Sequence, residues 1–281
     1  MKLSYFFKTG IFFAALTALL ILLGYFISGT IGAIIFLIIA LVTNLGMYWF
    51  SDKIALRMAG AQELDPALYP TIVEDVTVLS KKMGIPMPRL YMSPELQPNA
   101  FATGRNPKNS AVCLTEGIVK VLNRRELEGV IAHELAHIKN RDTLIATLAA
   151  VLAGVISSIS QIGMFFSSGS DEERNPITDL LMVIAAPVVA MIVQLAISRS
   201  REYLADATAA SYTGDPEALA LALQKIEHYA TQVPLNVNPA MSSLYISNPF
   251  SGGGLMELFS THPRTEKRIS RLAGMVFRGA L

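Results

Sequence analysis

His133-Glu134-Leu135-Ala136-His137 sets two imidazoles four residues apart, with a carboxylate beside the first. On a helix, side chains four apart leave from one face, one turn from each other. Two ring nitrogens so placed can meet one Zn2+ at about 2.0–2.1 Å. Glu134 then leans towards the metal's open position without filling it. A carboxylate there can take a proton from a water whose pKa the metal has lowered. This H-E-x-x-H spacing arises by chance in on the order of 1% of chains of this length. It also uses two of the only four histidines in the chain. One zinc ion per chain is therefore the expected cofactor.

A third ligand must come from elsewhere. The positions three and six after the second histidine are Asn140 and Thr143. The metzincin pattern, which needs glycine and histidine there, is excluded. The remaining candidates are Glu202, Asp206, Glu227, His228 and His262. Glu202 and Asp206 stand four apart on one helical face, so Glu202 is the expected ligand. Asp206 is placed to accept the N–H of a ligand histidine and fix its tautomer. Beside a membrane, uncompensated carboxylates are costly, which argues against a plain charge cluster of Arg201, Glu202 and Asp206. His262 has two readings, a donor to an oxyanion with Arg201 in support, or a cap on the last helix. His228 reads as structural or solvent-exposed.

The elements that position these groups follow from local signals. Asn123 and Glu126 have capping-box spacing ahead of Leu127, Val130, Ile131 and Leu135, which predicts a helix over 124–140. Asp65-Pro66 reads as a helix start, with an apolar rhythm running to Met83 and a stop at Gly84. Arg89–Met92 reads as a strand. Residues 99–103 and 111–115 read as a hairpin around the turn-rich 104–110. Asn99-Ala100-Phe101 is the candidate substrate-binding edge, because extended peptides bind by adding a strand through main-chain hydrogen bonds. The plainer reading is an ordinary strand with Phe101 in the core. Asp215-Pro216 starts a further helix to about Ala230. Residues 232–254 read as loop, and Thr261-His262-Pro263 as the start of a last helix.

Charge patterning supplies the larger frame. The chain of 281 residues is 52% hydrophobic and only 16% charged, with net charge +1 and mean hydropathy +0.44. Disorder is excluded, and the near-zero net charge argues against a dedicated nucleic-acid binder. The lone Cys113 excludes an internal disulfide and a cysteine-based zinc site. No charge occurs between Lys8 and Asp52. At about 20 residues per crossing, that run is long enough for two, turning at Ser28-Gly29-Thr30. Spans over 10–27 and 32–50 are expected. Thr143–Ser170 and Leu180–Ser198 are also uncharged and suggest a second membrane hairpin, diluted by serines and by Pro187. Lys2, Lys8, Lys53, Arg57, Lys139, Arg141, Arg199 and Arg201 all fall on one side of four such spans. By the positive-inside rule that side is cytoplasmic, together with both termini and the candidate site. The expected organisation is a membrane hairpin over 1–51, a zincin unit over 52–142, a second hairpin over 143–198 and the rest of the catalytic domain over 199–281. The fold class is a mainly α-helical membrane protein with four transmembrane helices and an α+β zincin-type catalytic domain.

Taken together, Asn99-Ala100-Phe101-Ala102, His133-Glu134-Leu135-Ala136-His137, Ser198-Arg199-Ser200-Arg201-Glu202-Tyr203-Leu204-Ala205-Asp206 and His262-Pro263 with Arg268-Ile269 resemble the HtpX family of membrane-integrated zinc endopeptidases, relatives of the CAAX prenyl proteases. The resemblance covers most of the chain. It implies a heat-shock-associated protease of the bacterial inner membrane, multi-pass in the lipid bilayer, with a cytoplasmic active site and with damaged or unfolded membrane proteins as its polypeptide substrates. A non-catalytic membrane-bound zinc scaffold is the rival. Glu134 argues against it, since a structural zinc site needs a closed shell and no neighbouring base.

Overall fold

The computed structural model describes residues 2–151, 199–230, 232, 244–246 and 263–279. The chain divides into two compact units, Met1–Ser51 and Asp52–Leu281.

The first unit lies in helix α1, Lys2–Met58, which is interrupted at Ser28 (φ −147°, ψ 30°) and Gly29 (φ 58°, ψ −142°). The left-handed φ at Gly29 suits a residue without a Cβ. The chain folds back on itself at this point. A methyl group on either Gly24 or Gly32 would overlap the other's carbonyl. Further along the arms, the Asn44 amide donates to Thr17 Oγ1 at 2.9 Å. A hairpin of two antiparallel helical arms results, with Ile38, Val42 and Leu45 exposed on its outside. Gly24–Met58 contains the one described segment long and apolar enough to cross a membrane, and Gly10–Leu22 is a shorter apolar helix. The expected second hairpin is helical over 143–151, and its remainder lies outside the described residues. The architecture on view is mostly helical, with one strongly apolar helix and a small sheet.

The second unit is built around α4. Its sheet contains β1 (Gln62–Glu63), β2 (Arg89–Ser93), β3 (Ala100–Asn106) and β4 (Asn109–Thr115) in the order β1-β2-β4-β3. β2 and β4 run parallel, whereas β3 and β4 pair antiparallel and leave β3 at an edge. Helix α2 spans Pro70–Met83, and its end is a left-handed Gly84. It starts four residues later than Asp65-Pro66 suggests. Asp65 instead closes a turn, accepting the amides of Leu68 and Tyr69 on its carbonyl, and Leu68 is exposed. A short α3, Glu116–Val121, leads into α4, Arg124–Asn140. Then follow α5 (Arg199–Thr213), α6 (Pro216–Ala230) and α7 (Thr265–Gly279). Ile131, Leu135 and Ile138 of α4 are fully buried in a cluster with Ile72 and Leu79 of α2, Ala209 of α5, Leu223 of α6 and Val112 of β4. Helix α4 is thus wedged on several sides, which is what a helix carrying ligands requires.

Candidate metal centre

Helix α4 is fixed at both ends. The Asn123 side chain accepts the Glu126 amide, and Glu126 accepts the Asn123 amide, each at 3.0 Å. This capping box satisfies two donors that the helix start would otherwise leave open. Lys225 of α6 adds a third contact to Glu126 at 2.8 Å. At the other end Arg141 takes a left-handed conformation (φ 62°) and returns its amide to the last turn. A turn apart on this helix, His133 and His137 bring their Nε2 atoms to 3.1 Å.

The carboxylate of Glu202, in the first turn of α5 as described, reaches both rings. Oε1 lies 3.5 Å from His137 Nε2 and Oε2 lies 3.6 Å from His133 Nε2. The donor atoms of His133, His137 and Glu202 all fall within 4.8 Å of one another, a grouping no other described residues make. A tetrahedral ion with bonds of 2.0–2.1 Å needs donors about 3.3–3.4 Å apart. The observed separations scatter around that value, and two imidazoles with one carboxylate form a donor set that such an ion accepts. These three residues therefore fit a metal ion. Glu134, beside them on α4, is itself buried.

Asp206, one turn after Glu202, stands 3.0 Å from His133 Nδ1. It accepts that ring N–H and turns the Nε2 lone pair towards the other donors. Two further groups join this set that their sequence positions did not reveal. Arg268 of α7 is buried and grips Asp206 with both arms, Nε to Oδ2 at 2.9 Å and Nη2 to Oδ1 at 2.6 Å. Helix α7 is held in place by Arg271, whose guanidinium lies over the Tyr203 ring of α5 at 3.6 Å. Asp142, just past the α4 cap, has Oδ2 3.6 Å from His137 Nδ1, and its Oδ1 lies 3.6 Å from Arg201. Asp142 carried no sequence signal, since only the left-handed Arg141 brings it back towards His137. Arg268 was visible only as part of the resemblance.

These charges shape one another. Burial alone would raise the Asp206 carboxyl, but the Arg268 guanidinium and the His133 ring together hold it down at about 2. Burial and Arg268 push His133 down, while the carboxylates of Asp206 and Glu202 outweigh them and lift it to about 9. In the metal-free protein at neutral pH, His133 therefore carries a proton that a metal must displace. Apparent metal affinity should rise about tenfold per pH unit between neutrality and pH 9, then level off. Chelator competition at a series of pH values checks this, and a flat profile below pH 9 would refute it.

The other expected residues are placed as follows. Asn99, Ala100 and Phe101 are buried at the start of β3. Phe101 packs edge-on against Tyr245, and the Asn99 side chain accepts the Ala100 amide at 3.1 Å. His228 is exposed on α6 and pairs with Gln232. His262 lies outside the described residues.

The model of peptidase family M48 matches residues 66–276. The chain is 49% identical over 277 residues to proteins named "Protease HtpX homolog" from Burkholderia mallei (strain SAVP1) and Burkholderia pseudomallei (strain K96243), covering 97% of this chain and of each relative. Among solved structures, the crystal structure of S. mikatae Ste24p aligns with a TM-score of 0.47 at 19% identity, over 84% of this chain and 57% of that one.

Proposed function

This chain belongs to peptidase family M48 and is a membrane metalloendopeptidase, and from that premise we propose that it is zinc-dependent, works at the cytoplasmic face of a bacterial inner membrane, and cuts damaged or unfolded membrane proteins. The observation that carries the reading is the convergence of His133, His137 and Glu202 donor atoms from two helices, beside a buried glutamate that is not among them.

In this reading His133, His137 and Glu202 hold the zinc, and Asp206 with Arg268 keeps the His133 ring in its ligating orientation. When bound, the ion supplies a Lewis acid for the scissile carbonyl and lowers the pKa of a water. Glu134 accepts the proton of the attacking water and passes it to the departing amine. The β3 edge at Asn99-Ala100-Phe101 receives the substrate as an added strand. Phe101 contributes through packing rather than by contact with the substrate, since its ring is fully buried. His262 serves either as a donor to the oxyanion, with Arg201 in support, or as a cap on the last helix. The cytoplasmic orientation and the four spans rest on the one-sided Lys and Arg pattern.

Activity and sidedness can be tested together. Inverted membrane vesicles carrying the full chain should cleave an added casein-like unfolded substrate, lose this with a chelator and regain it with Zn2+. Right-side-out vesicles should spare the substrate. Cleavage by the right-side-out preparation alone would reverse the orientation, and chelator-resistant cleavage would refute the metal dependence.

A further inference from the structure

A sheet edge binds an extended peptide through the backbone groups that its own sheet leaves unused. On β3 the parity of these groups is set by Asn99, whose carbonyl accepts the Thr115 amide at 3.0 Å. With the antiparallel register Phe101↔Cys113 and Ala102↔Val112, Phe101 and Thr103 turn their peptide groups to β4. Ala100 and Ala102 turn theirs outward. The outward carbonyl of Ala100 is already occupied. It accepts the backbone N–H of Ile246 at 3.2 Å.

The segment that supplies this N–H is packed closely against β3 through this one backbone hydrogen bond. Leu244, Tyr245 and Ile246 are 8%, 0% and 1% exposed. Tyr245 and Ile246 reach opposite faces of the sheet, while Leu244 lies on the Tyr245 side. Tyr245 sits with Phe101, Ala111 and Cys113 in one apolar cluster. Ile246 sits in the other, with Ala100, Ala102 and Leu114. The Ile246 carbonyl accepts Arg268 Nη1 at 2.8 Å, and Arg268 Nη2 lies 3.4 Å from the His133 ring. The segment therefore passes within one guanidinium of the metal ligands. It also fits imperfectly. The buried Tyr245 hydroxyl has no hydrogen-bond partner among the described residues.

We propose that Leu244-Tyr245-Ile246 is an internal occupant of the peptide-binding edge of β3, and that the substrate it stands in for is an extended, apolar segment. The inference rests on the reading that β3 receives the substrate. A peptide with leucine or phenylalanine in place of Tyr245 would fill the same apolar cluster without burying an unmet hydroxyl, so it can displace the occupant. The segments that meet this description are apolar stretches released from a membrane or from an unfolded core.

The test is steady-state kinetics on the full chain in nanodiscs with Zn2+, using an internally quenched decapeptide centred on Leu-Phe-Ile. Ile246→Pro removes the donated N–H but keeps the carbonyl that Arg268 uses. KM should fall about three- to tenfold, the fold-change that one backbone hydrogen bond commands, with kcat and bound metal as in the wild type. Tyr245→Phe keeps the ring and removes the unmet hydroxyl, which strengthens the occupant, so KM should rise severalfold. If Ile246→Pro instead lowers kcat or metal content, or leaves KM unchanged or raised, the segment is merely structural and the proposal is overturned. Should Ile246→Pro fail to fold, an unchanged or lowered KM in Tyr245→Phe overturns it alone. Ala102→Pro separates this failure from that of the underlying reading. It deletes an outward N–H at an edge, where proline is tolerated. An unchanged KM in Ala102→Pro would show that substrate does not pair with β3 at all. A raised KM there, with Ile246→Pro inert, would remove only the internal occupant.

Discussion

Replacing Glu134 with glutamine should abolish peptide hydrolysis while leaving the metal bound. The substitution keeps the size and shape of a buried side chain on a helix capped at both ends. Glu134 is not one of the three converging donors. What it removes is the proton acceptor. Loss of a general base costs about 10²–10⁴ in rate, or roughly 3–5 kcal/mol of barrier. Metal content and turnover should be measured on one sample. Cleavage near the wild-type rate would end the assignment of Glu134, whereas loss of metal would mean that the glutamate supports the ligand shell.

Glu202→Ala should release the metal. His133 and His137 come from a single helix, so a third donor has to arrive from a different segment. The Glu202 carboxylate is already within 3.5 and 3.6 Å of the two rings. Removing it leaves two donors and an open side. The loss of affinity should exceed the 10–100-fold expected when a supporting partner such as Asp206 is removed. Asp206→Ala carries a separate signature. It strips the buried Arg268 of its two-armed partner, and breaking a buried pair in this way costs about 3–5 kcal/mol. Asp206→Ala should therefore lower the thermal midpoint far more than its modest effect on affinity suggests. His262→Ala should bind metal as the wild type does. Zinc titrated against a competing chelator decides between them. Metal retained by Glu202→Ala and lost from His262→Ala would reassign the third ligand.

The sequence carried what is decided locally. Helix α4 has the bounds 124–140 because Asn123 and Glu126 satisfy each other within one turn, and that signal needs no tertiary context. The facing of His133 and His137 follows from the helical repeat alone. Elements set by competition between neighbouring signals were harder to read. Pro66 and Pro70 are both acceptable first-turn prolines, and only the Asp65 turn makes the later one the start of α2. In the hairpin, β3 and β4 run on to Asn106 and Asn109, so the connection is tighter than its turn-rich sequence suggests. Long-range pairings left no trace. Arg268 meets Asp206, and Ile246 meets Ala100, across separations over which no periodicity speaks. Asp142 looks like an ordinary residue after a helix until the left-handed Arg141 brings it near His137.

The donors on α4 and α5 are also separated in time. A ribosome releases the His133–His137 helix well before Glu202, with roughly sixty residues of largely uncharged chain made in between. Closing so long a loop carries an entropic cost that a shared ion helps to meet. On this ligand set the nascent chain holds two imidazoles and a base but no complete site, and it becomes competent to cut only after the intervening stretch has been synthesised and put in its place. On the proposed ligand set, the three donors can come together only after residues 143–198 have been made.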